Sequence, residues 1–314
     1  MIATAAETAP IASVGRGRFS LEDAQAYRSW RERKLADYPT TADQLLVQVR
    51  DPRNLTRAEH GALAASCRRA GMVIYASQIE DADRDIPRSL GRQFGLRRLD
   101  SNWLADDCGI SSIKVSAGNS RGDFIPYSDR PIGWHTDGYY NPLQRGVRSM
   151  ILHCVRPAAE GGANALLDHE LAYLLLRDQD PEHVRALSAP DAMTIPARND
   201  ELGTARAEQS GPVFSVDPHS GALHMRYTAR TRSIRWRDDP RTRAAVACLE
   251  SILATSPYIL TARMRPGMGL LCANVLHNRS GFIDDPQRPR LMYRARYHDA
   301  LCLSLGLWRK HNEC

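Results

Sequence analysis

Apolar positions follow two different rhythms along the chain. From about Leu21 to Leu35, and again from Arg57 to Ala70, they recur at helical spacing, and the second stretch stops at Gly71, a residue suited to ending a helix. The run Met72-Val73-Ile74-Tyr75 then has the length and composition of a first core strand. Beyond about residue 110, short apolar segments alternate with turn clusters. Segments of strand length lie at 112–116, 147–155, 163–167, 193–196, 213–216, 222–227, 259–264, 270–273 and 291–297. Between them stand Gly161-Gly162, Asp217-Pro218-His219-Ser220-Gly221 and Pro266-Gly267-Met268-Gly269. One helix interrupts this pattern. Asp239 caps it, Pro240 opens it, and Val246, Leu249 and Leu253 form its apolar stripe to about Ala254; a shorter helix starts at Pro181. Many short strands with turns between them predict a sandwich or jelly roll. The expected layout is a flexible arm over residues 1–18 and a single domain over 19–314. That domain has a helical part to about residue 110, a β core over about 110–300 and a helical insert.

Composition narrows the class only a little. With 43% apolar and 25% charged residues, the chain is of ordinary globular type. No apolar run approaches the roughly 18 residues of a membrane span, and the N-terminus has no basic segment followed by a long apolar stretch. The seven cysteines are scattered and never form a CxxC pair, which argues against a disulfide framework or a thiolate zinc site. The expectation is a reduced cytoplasmic protein with no membrane association. The net charge of +6 comes largely from arginine, but no basic run interleaves with aromatics. Arginines in that pattern suit a pocket for an anionic or zwitterionic small molecule rather than a nucleic acid. A homo-oligomer is compatible with all of this.

The sharpest local signal is Trp134-His135-Thr136-Asp137-Gly138. In an extended strand, residues i and i+2 share a face, so His135 and Asp137 can reach one metal from the same side while Trp134 points to the core. An imidazole and a carboxylate suit a borderline divalent ion, and a second histidine would complete a facial triad with open positions. HxD alone is a weak signal; it gains strength from residues far downstream. His277 lies 140 residues beyond Asp137, after a turn and an apolar strand. Next comes Pro286-Gln287-Arg288-Pro289-Arg290-Leu291-Met292-Tyr293-Arg294-Ala295-Arg296-Tyr297, in which Arg290, Arg294 and Arg296 share a face if the segment is a strand. Several arginines on one face of a core strand are costly to bury unless they meet anions.

The order HxD, long insert, His, then arginine resembles the Fe(II)- and 2-oxoglutarate-dependent dioxygenases, in particular the taurine dioxygenase-like and clavaminate synthase-like branch. The matching stretches are Trp134–Gly138, Gly161-Gly162-Ala163-Asn164, and His277 through Arg294. The resemblance implies a double-stranded β-helix core, with His135, Asp137 and His277 as iron ligands and 2-oxoglutarate and O2 as co-substrates. It places Arg290 on the distal carboxylate of 2-oxoglutarate, with Arg288 as competitor for that role. Arg294 falls on a second arginine that contacts co-substrate or substrate. Asn164 stands where relatives usually carry Thr, a departure that weakens its co-substrate role. The implied reaction is hydroxylation of a small polar metabolite or amino acid, with release of succinate and CO2. Asp137, where halogenating relatives carry a small residue, implies that halide is not transferred. Alternatives are a desaturase or cyclase of the same family, or a metal- or ligand-binding jelly-roll module without catalysis.

Around this core, Tyr139, Tyr140 and Asn141 come directly after the HxD and are expected at the mouth of the site. Arg226 and Arg230, in the arginine-dense stretch 224–232, are candidates to clamp an acidic substrate, and His224 is a candidate to face it. His153 reads as a core histidine, whereas His169, His183, His219 and His298 read as surface or cap residues. The stretch 117–123 reads as a loop over the site.

Overall fold

The computed structural model describes residues 9–10, 17–100, 109–116, 124–200, 203–230 and 234–304. Most of the expected arm and the expected 117–123 loop lie outside them. The chain forms two compact units, each assembled from separate stretches of sequence.

One unit comprises residues 39–133, 147–166 and 260–314. Its largest sheet has six strands in the order Leu46–Gln48, Met72–Ala76, Met268–Cys272, Ser149–Arg156, Leu291–Tyr297 and Ser111–Ile113. Leu46–Gln48 runs parallel to Met72–Ala76, and the other pairings in this sheet are antiparallel. One face is covered by the helices Arg57–Ala70 and Asp85–Gln93. There Leu63, Cys67, Leu90 and Phe94 pack with Val73, Tyr75, Ile151, Leu271, Tyr293, Ala295 and Tyr297. The first of these helices starts with a full capping box, in which the Thr56 hydroxyl accepts from the Glu59 N–H and the Glu59 carboxylate accepts from the Thr56 N–H. A second sheet has the order Leu260–Ala262, Asn164–Leu167, Leu276–Arg279 and Ile132–His135, and its last strand leads out of this unit at Trp134.

The other unit comprises residues 1–38, 134–146 and 167–259. The helices His169–Gln179, Pro181–Leu187 and Pro240–Thr255 pack together in it. The helix Ala24–Asp37 contributes Tyr27 and Trp30 to an aromatic cluster with Phe19, Tyr173 and Phe214, in which Phe19 meets Trp30 and Tyr173 edge to face, as Tyr173 meets Phe214. Short antiparallel ladders join Ala9–Pro10 to Phe214–Val216, and Arg198–Asp200 to Gly203–Arg206.

The helices Arg57–Ala70 and Pro181–Leu187 and the strand Leu291–Tyr297 fall where the sequence pattern places them. The helices Asp85–Gln93 and His169–Gln179 and the 198–206 hairpin were not expected. His169 is correspondingly no surface residue: it is 5% exposed and its Nε2 lies 3.1 Å from the Leu223 carbonyl. Among the described residues, no helix is long and apolar enough to cross a membrane.

A buried ion pair holds the start of His169–Gln179. Asp168 caps that helix by accepting from the Glu170 N–H. Lys34 Nζ lies 2.5 Å from Asp168 Oδ2 and 3.0 Å from Glu170 Oε2. Burial alone would raise the Asp168 carboxyl, but the charges of Lys34 and His169 and the hydrogen bonds it accepts outweigh it and hold the group below the usual carboxylate range. A depressed folded-state pKa contributes stability above the unfolded value of about 3.9, and that contribution is lost as pH falls through the folded value. Lys34→Met leaves a buried carboxylate without its cation and is expected to cost about 3–5 kcal/mol at neutral pH, read by chemical denaturation. The deficit should narrow as the carboxyl protonates in acid.

Candidate active site

The HxD segment is fixed by a ladder to residues 227–229. Thr136 N–H donates to the Tyr227 carbonyl at 3.0 Å, Tyr227 N–H to Thr136 Oγ1 at 3.1 Å, and Ala229 N–H to the Trp134 carbonyl at 2.8 Å. His135 bridges to Thr228. Thr136 is fully buried between His135, the last residue of the strand, and Asp137, the first residue of the turn that follows. Directly after Asp137 the chain turns. Gly138 has φ 68°, a left-handed conformation that glycine adopts without strain, and its carbonyl accepts the Asn141 N–H. Asp137, itself buried, lines a crevice with Tyr139, Asn141, Leu143 and His224. The expected placements of His224, Tyr139 and Asn141 beside the HxD therefore agree with this unit. Asn141 also has a structural task, donating from Nδ2 to the Arg145 carbonyl at 3.0 Å.

Arg226 needs a correction. It is 4% exposed, and its guanidinium donates to three carbonyls: Tyr139 at 2.7 Å, Met193 at 3.0 Å and Gln209 at 2.7 Å. Burial pushes its pKa down to about 10. This side chain ties the loop after Asp137 to two neighbouring segments and does not serve as a substrate clamp. Arg230, by contrast, is exposed and donates to the Tyr139 hydroxyl at 3.2 Å.

His277 sits in the strand Leu276–Arg279 and is 8% exposed. Its Nδ1 lies 2.9 Å from the Val275 carbonyl. A neutral ring donating from Nδ1 carries its lone pair on Nε2, the arrangement a metal-binding histidine needs. The strand is aimed by Asn274, whose φ of 52° makes the turn and whose amide donates to the Val147 carbonyl at 2.7 Å. Asn164, on the adjacent strand, donates from Nδ2 to the Asn278 carbonyl at 2.8 Å, and Asn278 Oδ1 accepts from Ala165 N–H. Asn164 thus braces the residue next to His277, with one amide N–H beyond that bond. Among the described residues, no three His, Cys, Asp or Glu side chains are grouped as a metal cluster. The donor types and the ring orientation of His277 fit Fe(II).

The expected shared face holds for Arg294 and Arg296 within the strand Leu291–Tyr297, whereas Arg290 precedes the strand, beyond a register shift between Leu291 and Met292. Tyr293, Ala295 and Tyr297 pack into the apolar cluster and Leu291 packs against it, so the even-numbered side chains take the other face. Arg296 there is paired with Asp100 at 2.7 Å, both 3% exposed. Arg294 is 9% exposed. Arg290, 5% exposed, has no ion pair among the described residues; Asp284 accepts only its backbone N–H. Its guanidinium stacks on Phe282 at 5.2 Å, and burial lowers its pKa. Arg279 lies over the same ring at 4.7 Å but donates to the carbonyls of Pro126, Ser128 and Arg130. Burial first, and then the Arg290 charge, lower Arg279 to about 10. Phe282 is brought here by the pairing of Phe282–Ile283 with Glu160–Gly161. Gly161 has φ 72°, and a Cβ there would strike the Gly281 carbonyl, so the double glycine is what allows the close approach. The Cys154 thiol feels the Arg290 charge, yet burial still pushes it up to about 12. Arg288, the alternative to Arg290, is exposed in a turn closed onto the Asp285 carbonyl, which removes it from that role. Sequence reasoning missed Phe282 and Arg279. The aromatic two residues after Ser280 was the available signal for the first.

The family described as "Taurine catabolism dioxygenase TauD, TfdA family" matches residues 33–296, and the chain belongs to it. A uridine-5'-phosphate dioxygenase of an Amycolatopsis species is 32% identical over 172 residues, covering 53% of this chain and 61% of the relative. One from a Streptomyces species is 32% identical over 187 residues, covering 55% and 66%. The matched region therefore spans less than two thirds of either relative. A taurine dioxygenase from Burkholderia xenovorans superposes with a TM-score of 0.54 at 19% identity over 83% of this chain and 89% of that one, which shows the fold.

Arg226→Met leaves three carbonyls without their donor and is expected to cost at least about 2 kcal/mol in unfolding experiments. Arg230→Met, at an exposed position, is expected to stay within about 0.5 kcal/mol of the parent.

Proposed function

We propose that this dioxygenase hydroxylates a small anionic molecule, with His135, Asp137 and His277 holding Fe(II) and Arg290 holding the distal carboxylate of 2-oxoglutarate. The observation that carries the reading is the buried Arg290 guanidinium with no ion pair among the described residues. A buried cation of that kind is stabilised by an anion that arrives with a ligand, and guanidinium grips a carboxylate in two places. Arg294, in the strand that follows, is a second candidate for a carboxylate or substrate anion. The core is a double-stranded β-helix within a single catalytic domain.

When bound, Fe(II) and 2-oxoglutarate supply the oxidation: O2 is consumed, 2-oxoglutarate becomes succinate and CO2, and one oxygen atom enters a substrate C–H bond. The protein's residues do the rest. The Val275 carbonyl holds the ring of His277 in its ligating tautomer. The ladder at Thr136 fixes the backbone between His135 and Asp137. Phe282 shields the Arg290 guanidinium from water, which strengthens its attraction for an anion. For the substrate, the 32%-identical relatives point to a phosphorylated nucleoside.

The test is anaerobic reconstitution with Fe(II) and titration with 2-oxoglutarate, following the weak visible band of the chelate. Wild type should show the band. His277→Ala should lose it at all concentrations, whereas Arg290→Ala should recover it only at 2-oxoglutarate concentrations about tenfold to a hundredfold higher, as expected for a lost charge-assisted bidentate pair. No band in wild type would overturn the assignment. Succinate release with uridine 5'-phosphate, compared with uridine and free amino acids, then reads the substrate class.

A further inference from the structure

The short hairpin of Arg198–Asp200 and Gly203–Arg206 sets two like charges against each other. Arg198 and Arg206 are direct partners in its register. Like charges opposite each other in an antiparallel pair repel, and an anion bound between them offsets that repulsion. Arg206 reaches toward the residues just after Asp137. Its guanidinium lies 5.5 Å from the centre of the Tyr140 ring, and Tyr140 meets Tyr139 edge to face at 5.2 Å. Arg206 Nη2 donates to the Pro196 carbonyl at 2.9 Å, while its Nε is buried with no hydrogen-bond partner. Arg230 reaches the same pair of rings through the Tyr139 hydroxyl. Among the described residues neither Arg206 nor Arg230 pairs with a carboxylate. Glu208, close by in sequence, is engaged by Arg235 at 2.9 Å.

We infer that Arg198, Arg206 and Arg230, with Tyr139 and Tyr140, form the seat for the phosphate of a phosphomonoester substrate, so that the phosphorylated end is held beside the loop after Asp137. This deepens the function proposed above and rests on it for the substrate's reaction, though not for anion binding itself. Burial is the main cause that lowers the Arg206 pKa; Tyr139 and Tyr140 act against it and the charges of Arg198 and Arg230 add to it, a repulsion that an arriving anion would relieve. Charge selects the class. A phosphomonoester carries about −1.5 to −2 at neutral pH and offers three acceptor oxygens, a better match to three guanidiniums than a single carboxylate. The Tyr139 hydroxyl supplies a neutral donor, and the two rings offer an aromatic wall against which a flat group can stack.

The experiment uses the full chain with Fe(II) and 2-oxoglutarate under anaerobic conditions. Calorimetry measures the affinity for inorganic phosphate, uridine 5'-phosphate and uridine. It is run on wild type, Arg206→Gln, Arg230→Gln and, as a control for loss of a nearby surface charge, Arg235→Gln. The expected result is phosphate and nucleotide binding weakened at least tenfold in the first two variants and unchanged in the control. The chelate band should be the same in all four, which shows that the variants are folded and hold 2-oxoglutarate. If wild type binds neither phosphate nor the nucleotide, or if Arg206→Gln and Arg230→Gln bind both as wild type does, the seat is overturned while the chelate band leaves the oxygenase reading intact. If phosphate binds and is lost in the variants but the nucleotide does not bind, the seat stands and the nucleoside assignment falls.

Discussion

A guanidinium carries five N–H donors and a charge that cannot be removed near neutrality, so each buried arginine must find both acceptors and a counter-charge. Much of this protein is organised around how that demand is met. Arg226 and Arg279 meet it with backbone carbonyls, and in doing so fasten the loops next to Asp137 and around residues 126–130. Arg296 meets it with Asp100. Arg279 and Arg290 both stack on Phe282, but of these four only the Arg290 guanidinium has neither a carbonyl nor a carboxylate partner among the described residues, the feature on which its proposed ligand role rests.

The residues proposed here as iron ligands stand out in the sequence because their chemistry is carried by spacing. HxD on alternating positions needs only an extended backbone, and the ladder through Thr136 supplies it. The strand Leu291–Tyr297 was readable for the same reason, since its odd-numbered apolar residues mark the core face. Arg226 could not be sorted from Arg230 by sequence, because both stand in the same basic stretch. What distinguishes them is which carbonyls come within reach after folding. The helix His169–Gln179 was missed because its leucines and Tyr173 are buried on nearly every side, leaving little of the alternation that marks an amphipathic helix. The pairing of Arg198–Asp200 with Gly203–Arg206 was missed because the two strands are only three and four residues long and show no alternating apolar pattern.

The double glycine has a physical reason of its own. Gly161 and Gly162 let the strand beginning at Glu160 lie against Phe282, and Phe282 in turn faces both Arg279 and Arg290. A motif that looked like a simple turn thereby sets the environment of Arg290 from a distance of more than a hundred residues in sequence. Asn164, two residues further on, braces the strand of His277 instead.

Cys154 gives this environment a chemical durability. Only the thiolate form of cysteine reacts readily with peroxides, and a thiol whose midpoint lies at about 12 is ionised to the extent of roughly one molecule in a hundred thousand at pH 7. An arginine nearby would ordinarily sensitise such a sulfur, but here the apolar surroundings prevail. The sulfur stays in its unreactive form; among the described residues, the cysteines open to solvent are the partly exposed Cys248 and Cys302.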